Sequence, residues 1–287
     1  MAPAFAGLGL SLASCATAPV APDVTTSLPV PVSTVPAGMQ YLYGSGEAGA
    51  LQQTVFHALI AYATEKAAHR SADSVVLAAG SPLVHATFVP CGAKPLAAVF
   101  DADETVLLNL GFEADEAAHP GRAYDEARWQ RWERTGVGAV AAVPGAVHAF
   151  DDLRTLGVTV IVNSNRSTAN AASTAAALKA AGLGDFRAGD TLLTRDAGAP
   201  SGKDARRAAI AARYCVIAMA GDQLGDFSDL FAMPMPVPVR RQLAVHSSAA
   251  GLWGKGWFVL PNPVYGSALR GGPDDVFPAD RRWTPAP

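Results

Sequence analysis

At 287 residues, half of them hydrophobic and 16% charged, the chain has enough apolar material for a sizeable core and falls outside the disordered class. A formal charge of −3 gives no clustered positive patch of the kind a nucleic-acid backbone requires, so no nucleic-acid polymer is expected as partner. No apolar run reaches the roughly 20 residues of a bilayer-spanning helix.

Phe5 to Ser14 is apolar or small throughout and leads into Leu12-Ala13-Ser14-Cys15. A short apolar stretch closing on small residues suits a processing peptidase. It resembles the lipobox of bacterial lipoproteins, although no Lys or Arg precedes the run, and implies lipidation at Cys15. Residues 1–15 then form a lipoprotein signal segment, and the chain is placed in the bacterial cell envelope, touching the membrane only through its lipid. Pro, Thr and Ser dominate the next stretch, so residues 16–37 are expected to be an extended tether.

From residue 38 to 287 the pattern is that of a single domain. Leu51, Val55, Leu59 and Tyr62 recur at helical spacing within 38–69. Pro95 to Phe100 reads as a short apolar strand ending on Asp101. Val158 to Asn163 reads as a second, ending on Ser164, with a helix starting there. Cys215 to Ala220 reads as a third, ending on Gly221-Asp222, and Trp257 to Leu260 as a late one. Strands alternating with helices predict a three-layer, Rossmann-like α/β fold with a parallel sheet, whose ligands gather at the carboxyl ends of the strands. Residues 112–144 break that rhythm. With Trp129 and Trp132 among charged residues, they read as a helical, cap-like insertion over the site.

Chemistry concentrates at the predicted strand ends. Asp101 and Asp103, two residues apart, suit a nucleophile beside a second carboxyl that handles protons, and acids so close also attract Mg²⁺. A solvated surface turn would account for that pair alone. Asp222 and Asp226 bring two further acids after another strand, and four carboxylates on one edge need a cation. Ser164 and Asn165, at the start of the predicted helix, suit an anion site, and Lys203 could neutralise a phosphate.

Taken jointly, Asp-x-Asp, Ser, Lys and Gly-Asp-x-x-x-Asp resemble the haloacid-dehalogenase superfamily. Phe100-Asp101-Ala102-Asp103-Glu104-Thr105 through Asn109, and Ala220-Gly221-Asp222 through Phe227, resemble the signatures of class C bacterial acid phosphatases. These are secreted lipoprotein phosphatases, some of which act as 5′-nucleotidases. Further matching stretches include Trp129 to Trp132, Val143 to Ala146, Gly202 to Arg207 and Leu260 to Gly266, so the resemblance spans about residues 38–269.

The resemblance implies a Mg²⁺-dependent phosphomonoesterase and a homodimer. Asp101 is then nucleophile and metal ligand. Asp103 is acid/base and binds metal through its backbone carbonyl. Asp222 is the third ligand, Asp226 holds metal-bound water, and Ser164, Asn165 and Lys203 hold phosphate. Trp129 or Trp132, with Tyr265, is expected to meet the leaving group, the other Trp serving the core. Ala102, Phe112 and Ala268 depart from the family's usual residues, and the last two bear on substrate preference. Asp103 argues against a dehalogenase, and secretion against a phosphomutase. A phosphatase of narrow specificity and a lipid-anchored binding protein on a degenerate phosphatase fold are the remaining alternatives.

With Cys15 lipidated, Cys91 and Cys215 remain available to each other. Counting back from Asp101 and Asp222 offsets them by about 10 Å along neighbouring strands, which argues against a bridge unless a bend precedes either strand.

Overall fold

The computed structural model describes residues 35–285, which belong to one compact unit. The leader, Cys15 and nearly all of the expected tether lie outside the described residues. The short helical turn α1 (Ala37–Met39) already occupies the tether's expected end. It leads into α2 (Gly46–Ala68), whose first turn is capped by the Ser45 hydroxyl accepting the Ala48 N–H at 3.0 Å. The buried stripe of α2 is Gln52, Phe56, Leu59 and Ala63. Leu51 is exposed, so the expected stripe was rotated by about one residue.

A small antiparallel pair follows, β1 (Asp73–Leu77) with β2 (Phe88–Pro90). The central strand β3 (Leu96–Phe100) comes next, then the short β4 (Leu107–Leu108). Helices α3 (Leu110–Ala118) and α4 (Glu126–Thr135) form the insertion. It returns through β5 (Ala141–Ala142), which pairs with β4. The body continues with α5 (Ala146–Thr155), β6 (Thr159–Ser167), α6 (Ala171–Ala180), β7 (Leu192–Arg195), α7 (Asp204–Arg213) and β8 (Cys215–Gly221). It ends with α8 (Val237–His246), β9 (Trp257–Val259) and the single turn α9 (Pro273–Val276).

Strands β7-β6-β3-β8-β9 form one sheet, parallel throughout. Alternation along the strands splits the apolar residues between two faces. Ala98, Phe100, Val160 and Val162 face α2, α5 and α6, packing with Phe56, Leu59, Phe150 and Leu178. Ala97, Val99, Ile161 and Val216 face the opposite way, toward Ile210 of α7, Val75 of β1 and Trp257. A one-residue bulge in β8, opposite the Ala97–Ala98 step of β3, puts Ile217 and Ala218 on the same face and sets Asp222 one residue back relative to β3.

Two expectations are corrected. β6 does not stop at Asn163: it runs to Ser167, which pairs with Arg195 of β7, so no helix starts at Ser164. The helical turn begins at Thr168, capped by the Ser167 side chain. Cys91 and Cys215 do form a disulfide, with Cα atoms 4.6 Å apart. The turn after β2, with Gly92 at φ +53° and Lys94 N–H bonded to Cys91 O, folds the chain back before β3. The residues from Cys91 to Leu96 therefore do not extend along the strand, and Leu96 pairs with Cys215.

Candidate active site

The carboxyl ends of β3, β6 and β8 converge on one cavity of about 740 Å³. Its lining includes Asp101, Asp103, Asn165, Lys203, Asp222, Asp226 and Tyr265, with Phe112, Glu113 and Trp129 supplied by the insertion. Asp101 follows directly from β3 and its N–H bonds Ala220 O at 2.9 Å, so the sheet itself fixes its backbone. Lys203 is buried between two carboxylates: its Nζ donates to Asp101 Oδ1 and, at 2.7 Å, to Asp226 Oδ1. The second Asp226 oxygen accepts the Gln223 N–H at 2.9 Å.

Asp222 accepts from Thr105 Oγ1 at 3.2 Å and from Gln223 Nε2 and Asn262 Nδ2, each at 2.8 Å. Carboxylate oxygens of Asp101, Asp222 and Asp226 all lie within 4.8 Å of one another. Burial, with the Asp226, Asp222 and Asp103 charges, outweighs the nearby Lys203 and raises the Asp101 carboxyl well above its ordinary value. Burial first, then Asp226, pushes Asp222 up to about 7. Burial opposes the charge of Lys203, but Asp101 and Asp226 push its ammonium up to about 12. One ammonium among three crowded, buried carboxylates leaves an excess of negative charge. Hard oxygen donors carrying that excess fit a divalent cation.

Asp103 points elsewhere. Its carboxylate pairs with Arg166, at 2.7 Å from Nη2 and 2.9 Å from Nε to Oδ1, and so stands apart from the three-carboxylate cluster. Two carboxylates only two residues apart thus sit in two different electrostatic settings, one beside a lysine and a prospective cation, the other on an arginine.

A family model described as "HAD superfamily, subfamily IIIB (Acid phosphatase)" matches residues 12–268. The chain belongs to this acid phosphatase family. The phosphatase is thus a phosphomonoesterase, in keeping with its resemblance to class C acid phosphatases. Two solved structures of class C acid phosphatase from Bacillus anthracis, one with tungstate bound, share its fold. Each is 22% identical with a TM-score of 0.65, covering 80% of this chain and 84% of theirs. Among curated proteins, none matches the chain.

The remaining sequence-predicted residues of the phosphatase divide between the cavity and its walls. Asn165 lines the cavity, donating to Ser201 O at 2.8 Å and accepting from Arg206 at 2.6 Å. Ser164 is fully buried and outside the lining, its Oγ accepting the Arg166 N–H at 3.1 Å. Trp129 lines the cavity edge-on to Phe112, with ring centroids 4.9 Å apart. Trp132 does not, and it packs where Gly111 and Gly136 leave room for its ring. Tyr265 lines the cavity while its hydroxyl donates to Glu104.

Sequence reasoning missed several residues that build the phosphatase's site. Glu104, fully buried at φ +52°, accepts hydrogen bonds from Tyr43 at 3.1 Å, from the Asn109 N–H at 3.0 Å and from Tyr265. Burial first, and then Asp103, pushes its carboxyl up to about 8. Arg207, also buried, donates to Asp204, to Asp229 and to the carbonyls of Gly225 and Asp226. Asp229 in turn accepts the N–H groups of Lys203 and Asp204 at 2.7 and 2.9 Å. What marks them is burial of charge, since a buried Arg or Glu is rare unless paired, and the sequence alone does not show that burial.

Proposed function

We propose that this acid phosphatase is Mg²⁺-dependent, works through a phosphorylated Asp101, and accepts nucleoside 5′-monophosphates among its substrates. The observation that carries the reading is the buried set of Asp101, Asp222 and Asp226 around a single Lys203. Asp101, Asp222 and the backbone carbonyl of Asp103 would hold the cation, with Asp226, whose two oxygens are already engaged, beside them. The ion would supply positive charge against the phosphate oxygens.

The chain's own residues account for the rest. An Asp101 oxygen attacks phosphorus as the bond to the leaving oxygen breaks, and Asp103 donates a proton to that oxygen. Asp103 then takes a proton from water, whose oxygen attacks the phosphoryl group, releasing inorganic phosphate and restoring Asp101. Lys203 and Asn165 orient the phosphate, and Ser164, buried outside the cavity, holds the backbone of Arg166. Trp129 and Tyr265 offer aromatic faces for a base, a contact worth about 1–3 kcal/mol whichever base is present.

The lipobox-like 12–15 segment supports a lipid anchor at Cys15 and a place in the cell envelope. In a bacterial host Cys15→Ser should move the protein from the detergent phase to the aqueous phase. The homodimer rests on family likeness and is checked by sedimentation. The central test is phosphate release from nucleoside monophosphates, sugar phosphates and phosphotyrosine with Mg²⁺, wild type against Asp101→Asn. A folded Asp101→Asn protein retaining more than a few per cent of the rate would reject Asp101 as nucleophile.

A further inference from the structure

The Asp103 carboxylate is held very unevenly. Oδ1 receives three short hydrogen bonds, from Arg166 Nη2 at 2.7 Å and from Arg166 Nε and Asn109 Nδ2, both at 2.9 Å. Oδ2 receives one long contact, from Arg166 Nε at 3.3 Å. Arg166 and Asn109 are both buried, while the Asp103 side chain keeps a face to the cavity. One oxygen is therefore saturated by fixed donors, and the other is left to the cavity.

The orientation of Asn109 is itself determined from a distance. Its Oδ1 accepts from Arg166 Nη2 at 2.8 Å and from the indole Nε1 of Trp132 at 3.1 Å. Those two donors require the carbonyl side of the amide to face them, which turns Nδ2 toward Asp103 and Glu104. Trp132 belongs to α4, in the insertion. The next residue, Glu133, is buried and ties α4 to the end of β6, accepting the Ser167 N–H at 3.1 Å and Asn170 Nδ2 at 2.6 Å. The ring of Trp132 fits because its neighbours are glycines: a Cβ on Gly111 would lie 2.9 Å from it.

We infer that Trp132, Asn109 and Arg166 are positioning residues for Asp103, so that the insertion sets the geometry of proton transfer as well as walling the cavity. Oδ2 of Asp103 is the oxygen they leave for the leaving group. The inference rests on Asp103 being the acid/base of the proposed reaction. A general acid must come within about 3 Å of the oxygen it protonates, and small displacements there are costly in rate. Trp132 would then matter through one N–H.

The test uses the full chain with Mg²⁺ and two substrates, an alkyl phosphate, whose leaving group needs a proton, and p-nitrophenyl phosphate, whose leaving group barely does. Trp132→Phe retains an aromatic ring in the glycine-lined slot but not the N–H, and Arg166→Lys retains the charge but not the two-pronged geometry. Both should reduce kcat on the alkyl phosphate by about 10-fold or more and on p-nitrophenyl phosphate by about 3-fold or less, on the scale of acid–base contributions. In an Asp103→Asn background the same changes should add almost nothing, because the group they position is gone. Parallel losses on the two substrates, or a full further loss in the Asp103→Asn background, would overturn the inference while leaving the acid/base role intact. Equal losses for Asp103→Asn itself on both substrates would instead remove the acid/base reading, and the inference with it. Near-UV circular dichroism of Trp132→Phe separates a misfolded variant, for which Arg166→Lys alone then decides.

Discussion

Removing the Cys91–Cys215 bridge should be among the most damaging changes available outside the active site. The bridge spans 124 residues of sequence, and closing a loop of that length in the unfolded chain is worth about 5 kcal/mol at 25 °C. Both cysteines are fully buried, so Cys91→Ala/Cys215→Ala adds little lost surface beyond the sulfurs themselves. For a domain of this size each kcal/mol moves Tm by about 2–4 °C, so the double variant should melt about 10–20 °C lower. The assay is a thermal melt of wild type and variant with Cys15 replaced in both, alongside thiol counting in denaturant without reductant. Wild type should show no free thiol, and native protein should resist mild reductant because neither sulfur is accessible. Two thiols in the denatured wild type, or a Tm difference below about 3 °C, would refute the reasoning.

Cation binding should be visible without any assay of activity: Mg²⁺ at about 100 times its Kd should add about 2.7 kcal/mol and raise Tm by about 5–11 °C over chelated protein. An unchanged Tm would argue against the three-carboxylate site. Glu113, on the cavity wall, has its carboxyl pushed up from 4.5 to about 7 by burial, with Glu116 adding and Arg128 opposing. Its folded value lies above its unfolded one, so the stability tied to it is fully present below pH 4.5 and is lost as pH rises through 7. Glu113→Gln should therefore lessen the loss of stability between pH 5 and 8 by about 2 kcal/mol, and identical slopes in denaturant melts would exclude this. For Tyr265, removal of the ring in Tyr265→Ala should raise KM for a nucleoside 5′-monophosphate several-fold while barely moving that for a small alkyl phosphate. Tyr265→Phe should keep the nucleotide KM, and equal rises on both substrates in the Ala variant would reduce Tyr265 to an anchor for Glu104.

The sheet was legible because each core strand is a short apolar run that ends on a polar residue, and the acids at those ends stand next to the strands that carry them. Asp101 and Asp222 could be read from local sequence for this reason, whereas Lys203, at the start of α7, was legible only in company with the other motifs. Four features could not. The extension of β6 to Ser167 depends on its pairing with Arg195, a tertiary partner that overrides the turn-like Ser-Asn-Arg-Ser composition. The disulfide depends on a turn at Gly92, and one left-handed glycine changes the course of the chain by more than the offset that residue counting gave. The stripe of α2 slipped because Gln52 is buried while Leu51 is exposed, against their hydrophobicity. The Arg166–Asp103 pair spans 63 residues, and nothing local to either residue announces the other.

Two segments far apart in sequence meet at Glu104. Tyr43, from before α2, and Tyr265, from after β9, donate to its two oxygens, and Asn262 completes the donors to Asp222. A chain made from its amino end therefore emerges with its nucleophile, its lysine and its acid cluster long before these last partners exist. Until residue 265 is free to fold, Glu104 and Asp222 lack donors that their burial requires. The assembly of a working site then waits for residues 262–265, and a chain stopping short of Pro261 would carry every motif aspartate and still lack the contacts that hold two of its buried acids in place.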